Sequence, residues 1–331
     1  MNFIQFSKPE IKLTLNDMKE LGRIINSGWF CKGEYIHELE EHFKSKFGVQ
    51  NAVACSNCTQ GLVIAFKSLK VKGKAILLPA FTWPSTLYAL ECNNNIPIWC
   101  DIDIDSWDLD RDLLDVTTSE CPIWDAQISV DTFGNESWIS AKDKFGYDIP
   151  TIYDAAHGYG LNNLGHRGDI EVVSMSFTKP ATAMQGGMIL FNDDDLYEDI
   201  QEYVDLTAKT TEVNAYVGLK SVKQFDSIMK VKAEIRQMYR EFITVPFTEQ
   251  KIDTDSNYST FSILFNSEKK RNAVVRAFTN SNIGVKIYYE PLIKGLKNTD
   301  KVYRRIISLP TYEEMIPEVK RIAKLINDSG E

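Results

Sequence analysis

Residues 151–179 read Thr-Ile-Tyr-Asp-Ala-Ala-His-Gly-Tyr-Gly-Leu-Asn-Asn-Leu-Gly-His-Arg-Gly-Asp-Ile-Glu-Val-Val-Ser-Met-Ser-Phe-Thr-Lys. Two short apolar runs, 151–155 and 172–177, each lead to a group that apolar surroundings penalise: the Asp154 carboxyl with His157 just beyond it, and the Lys179 amine. Short runs without polar alternation are strands of a sheet covered on both faces. In such open parallel sheets, ligands gather beyond the carboxyl ends of the strands. Fold and chemistry are therefore read from the same residues.

The pattern extends in both directions. Further apolar runs bounded by turn residues lie at 51–55, 75–80, 96–102, 123–130 and 187–192, with helical spacing between several of them at 59–69, 85–91 and 110–116. Strand and helix alternating this often imply βαβ crossovers and a largely parallel sheet. Upstream, residues 15–25 are amphipathic, and Ile36, Leu39, Phe43 and Phe47 recur at three- and four-residue steps, the mark of a helix with one buried face. Downstream, some fifty residues from Leu196 are helical in pattern, with Leu219, Val222, Phe225, Ile228 and Met229 on one face. A strand at 258–265, a helix at 269–279, a strand at 284–289 and a helix at 316–328 follow. The expected fold is α/β: a three-layer large domain (1–205) with a mostly parallel central sheet, a helical connector (206–245) and a smaller C-terminal α+β domain (246–331).

Composition agrees. The 331 residues, 44% hydrophobic and 25% charged, match a soluble globular chain of about two structural units. A net charge of −9 disfavours a nucleic-acid surface. No apolar run approaches the ~20 residues that cross a bilayer, and residues 1–10 lack the apolar core of a signal peptide, so a cytoplasmic protein without membrane partners is expected. Six cysteines, at 31, 55, 58, 92, 100 and 121, read as reduced thiols rather than a disulfide framework. No metal is expected.

Four strand ends carry candidate chemistry. Cys55-Ser56-Asn57-Cys58-Thr59-Gln60-Gly61 leads into a helix whose free N–H groups would seat an anion such as phosphate, although Ser56 or Asn57 as a plain cap explains it equally. Its C-x-x-C spacing also fits a redox pair, without the surrounding residues of a thioredoxin. Trp83, in Pro79-Ala80-Phe81-Thr82-Trp83-Pro84-Ser85-Thr86, offers a flat face to a planar ligand or anchors the core. Asp154 needs a cationic or donor partner, which a protonated ligand ring would supply. Lys179, preceded by Ser174 and followed by Gly186-Gly187, is an amine whose pKa falls when it is desolvated. A phosphate seat, a stacking aromatic, a buried carboxylate and a strand-end lysine are together what pyridoxal 5′-phosphate requires.

These motifs carry a resemblance. From about residue 27 to 309 the chain resembles the DegT/DnrJ/EryC1/StrS family of pyridoxal-phosphate-dependent sugar aminotransferases, of fold type I. The resemblance rests on Ser27-Gly28-Trp29, Pro79-Ala80-Phe81-Thr82-Trp83, Asp101-Ile102-Asp103, Asp154-Ala155-Ala156-His157, Ser174 with Lys179 and Gly186-Gly187, Tyr289-Glu290-Pro291-Leu292 and Ser308-Leu309-Pro310. It implies that Lys179 forms the internal aldimine and shuttles protons, and that Asp154 pairs with the pyridinium nitrogen. It further implies that His157 lies by the ring hydroxyl, that Trp83 stacks on the ring, and that Asn57, Cys58, Thr59 and Ser174 hold the phosphate. The implied reaction moves an amino group from an amino acid, expected to be L-glutamate, through pyridoxamine phosphate to a nucleotide-linked keto-sugar, in a homodimer with shared active sites. Two segments depart from the family pattern: Met184-Gln185 stands where it has Gly-Glu, and Thr207-Ala208-Lys209 where it has Asn-x-Arg. A non-catalytic member that binds cofactor or nucleotide sugar without transfer is the alternative.

Overall fold

The computed structural model describes residues 3–110, 124–140, 148–252 and 254–330. Two helices, α1 (Leu15–Ser27) and α2 (Glu34–Phe47), open the chain. Thr14 and Asp17 cap α1 reciprocally, each side chain accepting the other's backbone N–H. Gly28 and Gly48, both at positive φ, end the two helices.

The large sheet has seven strands: β1 (Asn51–Cys55), β2 (Ala75–Pro79), β3 (Ile96–Cys100), β4 (Ala126–Val130), β5 (Thr151–Ala155), β6 (Ile170–Ser174) and β7 (Gly187–Phe191). Their spatial order is β1-β7-β6-β5-β4-β2-β3. β7 runs antiparallel to both neighbours, and every other pairing is parallel. Successive residues point to opposite faces. Val53, Val172 and Ile189 pack on one face against α3 (Cys58–Ser68), α4 (Pro84–Glu91) and α5 (Tyr197–Thr207), whereas Ala52, Val173 and Met188 pack on the other against α2 and α6 (Glu212–Phe242). This is the expected three-layer unit.

The far end of α6 delivers Ile235 and Tyr239 to a second core, built on the antiparallel sheet of β8 (Phe247–Glu249), β9 (Phe261–Phe265) and β10 (Ile306–Leu309). Helices α7 (Glu268–Asn280), α8 (Lys297–Arg305) and α9 (Val319–Asp328) complete the C-terminal unit. The N-terminal segment joins it too, Ile4 bridging to Ile283 in parallel. Among the described residues no helix is long and apolar enough to cross a membrane.

Several elements differ from expectation. The helical stretch after Leu196 splits in two, because Thr211 caps a new helix by accepting the Asn214 N–H. Residues 284–289 make one bridge, Lys286 with Ser308, instead of a strand. Their alternation serves Tyr288 and Tyr289, which turn into an aromatic cluster with Phe81, Trp83 and Phe133. α9 begins at Val319, after a 3-10 turn at Glu313–Met315, rather than at Ile316. α8 gave no periodic signal, since Val302 is its one buried apolar side chain. Of the cysteines, Cys55, Cys58 and Cys100 are buried, Cys31 is partly so and Cys92 is exposed. Cys121 and all but the first residue of the helix expected at 110–116 lie outside the described residues.

Candidate active site

The site forms where β1, β5 and β6 end and β7 begins. After β1, Asn57 caps α3, its Oδ1 accepting the Gln60 N–H at 2.9 Å. The first N–H groups of a helix have no partner within it and attract anions. Gly187 lets β7 lie against this turn: a Cβ there would stand 2.8 Å from both Asn57 C and Cys58 N. Ser174 pairs with Gly187 across the sheet, so its hydroxyl borders the same turn. Asn57, Cys58, Thr59 and Ser174 thus lie together, although Cys58 turns its thiol inward, to Asp154 Oδ1 at 3.8 Å and the Val172 carbonyl at 3.5 Å. Anything Cys58 offers an anion comes from its backbone.

Asp154 is 3% exposed. Thr86 Oγ1 donates to its Oδ2 at 2.6 Å and the Ala156 N–H to its Oδ1 at 3.2 Å. Burial nevertheless pushes the carboxyl above its ordinary range, the hydrogen bonds and Lys179 only partly offsetting that. The Lys179 amine lies 2.7 Å from His157 Nε2. Burial pulls it from 10.5 down to about 8, with the Cys58 and Asp154 charges opposing the fall. Burial and the Lys179 charge hold His157 well below the usual imidazole range, hence neutral. On its far side, His157 Nδ1 meets Ser259 Oγ at 2.7 Å.

An aromatic wall borders the carboxylate and the amine. Phe133 stacks on Tyr289 with ring centres 5.2 Å apart and meets the edge of His157 at 6.3 Å. Trp83, half exposed, makes T-shaped contacts with Tyr288 at 6.0 Å and Tyr289 at 6.4 Å. Both departures from the family pattern have a local reading. Met184 sits at φ 63°, a conformation glycine adopts at no cost. The Ala208 carbonyl accepts the Ser56 N–H at 2.7 Å, so exposed Lys209 follows directly on a contact with the phosphate-seat loop.

The structure brings Asp154, His157, Lys179 and Cys58 into one cluster. The redox reading finds no support, because burial pushes the Cys55 thiol up to about 12 and Cys58 well above the usual thiol range, the reverse of an activated pair. Thr86, Ser259 and Tyr289 join the site from positions that no motif of the sequence marks as site residues. Thr86, in the first turn of α4, has its hydroxyl 2.9 Å from that of Thr82, which precedes the helix. Ser259 lies 102 residues from the histidine it touches.

Residues 12–327 match the DegT/DnrJ/EryC1/StrS aminotransferase family. The dTDP-4-amino-4,6-dideoxy-D-glucose transaminase of Escherichia coli is 25% identical, the match covering 98% of each chain. Its namesake from Shigella dysenteriae is 27% identical over 89% of each. Among solved structures, DesI in the presence of its TDP-sugar product superposes with a TM-score of 0.87 at 24% identity, over 99% of this chain and 93% of that one. Helicobacter pylori PseC, an aminotransferase of pseudoaminic acid biosynthesis, gives 0.85 at 18% identity, over 99% and 100%.

Proposed function

The chain belongs to the DegT/DnrJ/EryC1/StrS aminotransferase family, and from that premise we propose that it moves an amino group from L-glutamate to a nucleotide-linked 4-keto-hexose, with pyridoxal 5′-phosphate as cofactor. One observation carries the reading: a buried carboxylate to which, among the described residues, no cation is hydrogen-bonded, Asp154, shares a site with a lysine amine drawn down to about 8, Lys179. The curated relatives, named for a dTDP-4-amino-sugar, support the nucleotide and the ring carbon.

The residues fit the cofactor. A carboxylate that only uncharged donors hydrogen-bond suits a protonated ring nitrogen. The gap that a Cβ on Gly187 would fill, beside the start of α3 and Ser174, suits a phosphate. Trp83 would cover a ring face, and His157 would meet the ring oxygen. When bound, pyridoxal phosphate supplies an electron sink for the carbanion formed at the amino-bearing carbon.

The chain's own part is acid–base work. Lys179, half neutral near pH 8, takes a proton from one carbon and returns it to another, which requires a pKa close to the working pH. Asp154, ionised by a cationic partner, holds that partner protonated. Phe133 and Tyr289, both buried, form an apolar wall beside His157, the amine's partner. The reaction is read as cytoplasmic and carried out by a homodimer. The large apolar side chains of Trp29, Phe30 and Met184, exposed in the single chain, support a second copy packing against it.

The test is to incubate cofactor-loaded protein with L-glutamate and dTDP-4-keto-6-deoxyglucose. The reading predicts equal yields of 2-oxoglutarate and 4-amino sugar. Nucleotide-sugar binding with no transfer across a panel of donors and sugars would instead make the chain a non-catalytic member.

A further inference from the structure

We propose that Ser259 is a positioning residue that fixes the tautomer of His157 and thereby presents a bare Nε2 to the Lys179 amine. A single proton decides the tautomer. Ser259 Oγ lies 2.7 Å from His157 Nδ1 and 3.0 Å from the Phe133 carbonyl oxygen, and a serine hydroxyl has one proton to give. The carbonyl accepts only. Phe133 is 2% exposed, so turning the hydroxyl toward the imidazole would strip a buried carbonyl of that donor. The hydroxyl therefore donates to Phe133, and His157 Nδ1 must donate to the hydroxyl. A neutral imidazole protonated at Nδ1 has its lone pair at Nε2, 2.7 Å from Lys179 Nζ.

Ser259 has little freedom to do otherwise. Its N–H donates to Asn257 Oδ1 at 2.9 Å, and the Asn257 amide donates to the carbonyls of His157 and, at 3.0 Å, of Tyr159. The Asn257 N–H donates to the Gly134 carbonyl at 3.0 Å. Gly134, at φ 87°, admits no side chain: a Cβ would stand 1.9 Å from Asn257 Oδ1. Residues 257–259 lead into β9, so the C-terminal unit sets the protonation geometry of a residue on the large domain.

The proposal rests on Lys179 being the working amine, but the tautomer is read without cofactor. In apo-protein with ¹⁵N-labelled histidine, the signals of His157 are assigned by their loss in His157→Asn and the two ring nitrogens compared. The expected result is a protonated Nδ1 and a bare Nε2 in the wild type and in Ser259→Thr, with mixed or reversed tautomers in Ser259→Ala. In the loaded enzyme Ser259→Ala should lower kcat about tenfold with KM for the donor little changed, and Ser259→Thr should restore it. A proton on Nε2 in the wild type, or an unaltered Nδ1–H in Ser259→Ala, would overturn the proposal. The wild-type spectrum decides even where a variant fails to fold. Were transamination absent altogether, the role of Lys179 would fall while the tautomer stood on its own evidence.

Discussion

Asp131 and Asp154 stand at the ends of the adjacent strands β4 and β5, joined by a hydrogen bond from the Asp131 N–H to the Asp154 carbonyl. Both side chains are buried, at 0% and 3% exposure, yet their surroundings differ. Arg167 grips Asp131 with two nitrogens, at 2.7 and 2.9 Å, and also pairs with Glu171 in β6. Asp154 is hydrogen-bonded by a threonine, a backbone N–H and a thiol. A buried charge costs several kcal/mol unless it is paired. Asp131 is paid for within the chain, as part of the framework. On the proposed reading Asp154 is left for a cation that arrives with a ligand, and that difference would separate a structural ion cluster from a site.

The contrast can be broken at its strongest point first. Arg167→Met leaves two buried carboxylates without their cation and should cost about 3–5 kcal/mol of folding free energy, read as an earlier urea midpoint. An unchanged midpoint would remove the distinction between the two aspartates. Asp154→Asn should act oppositely. The thermal midpoint of the cofactor-free protein should hold or rise, because a carboxyl strained by burial is gone, while amino transfer falls about 10²–10³-fold. A folded Asp154→Asn enzyme with full activity would move the site elsewhere.

The amine sharpens the comparison through pH. Lys179 is drawn from 10.5 to about 8, so its neutral form grows about tenfold per pH unit up to about 8 and then levels off. The rate of covalent cofactor attachment should follow that curve, and a rate still climbing at pH 10 would contradict it. The sign for stability follows: between about 8 and 10.5 the unfolded chain holds the extra proton, so this group adds stability as pH rises through that window.

Glu40 supplies the smallest effect and a useful control. Burial raises its carboxyl to about 7 although it accepts the Ala54 N–H at 2.9 Å. It is a strained carboxylate away from any lysine amine of the site. Between 4.5 and about 7 the folded form holds the extra proton, so stability falls as pH rises through that interval. Glu40→Gln should abolish the fall, gaining a few degrees over wild type at pH 8 and less at pH 5 by calorimetry, with transfer unchanged.

Much of this was legible in the chain because strands buried on both faces are short apolar runs, and their ends expose whatever polar group follows. Asp154, His157 and Lys179 stand out for that reason. The direction of β7 left no such trace, since an antiparallel strand buried on both faces is as apolar as its parallel neighbours. Tyr289 lay in a stretch whose alternation reads as a strand, whereas its ring is stacked on Phe133. Thr86 and Ser259 reach their partners across 68 and 102 residues, and spacing along one chain carries no signal of such contacts. Nor does spacing reveal that Arg167 pairs with Asp131, 36 residues away.

On the proposed reading one amine, at Lys179, carries the cofactor opposite a carboxylate that, among the described residues, only uncharged groups hydrogen-bond. Pyridoxal phosphate is added to the protein, the bound form is reduced with borohydride, and the peptides are mapped by mass spectrometry. A single modified residue, Lys179, is the predicted result. Modification at another lysine such as Lys209, or none at all, would contradict it.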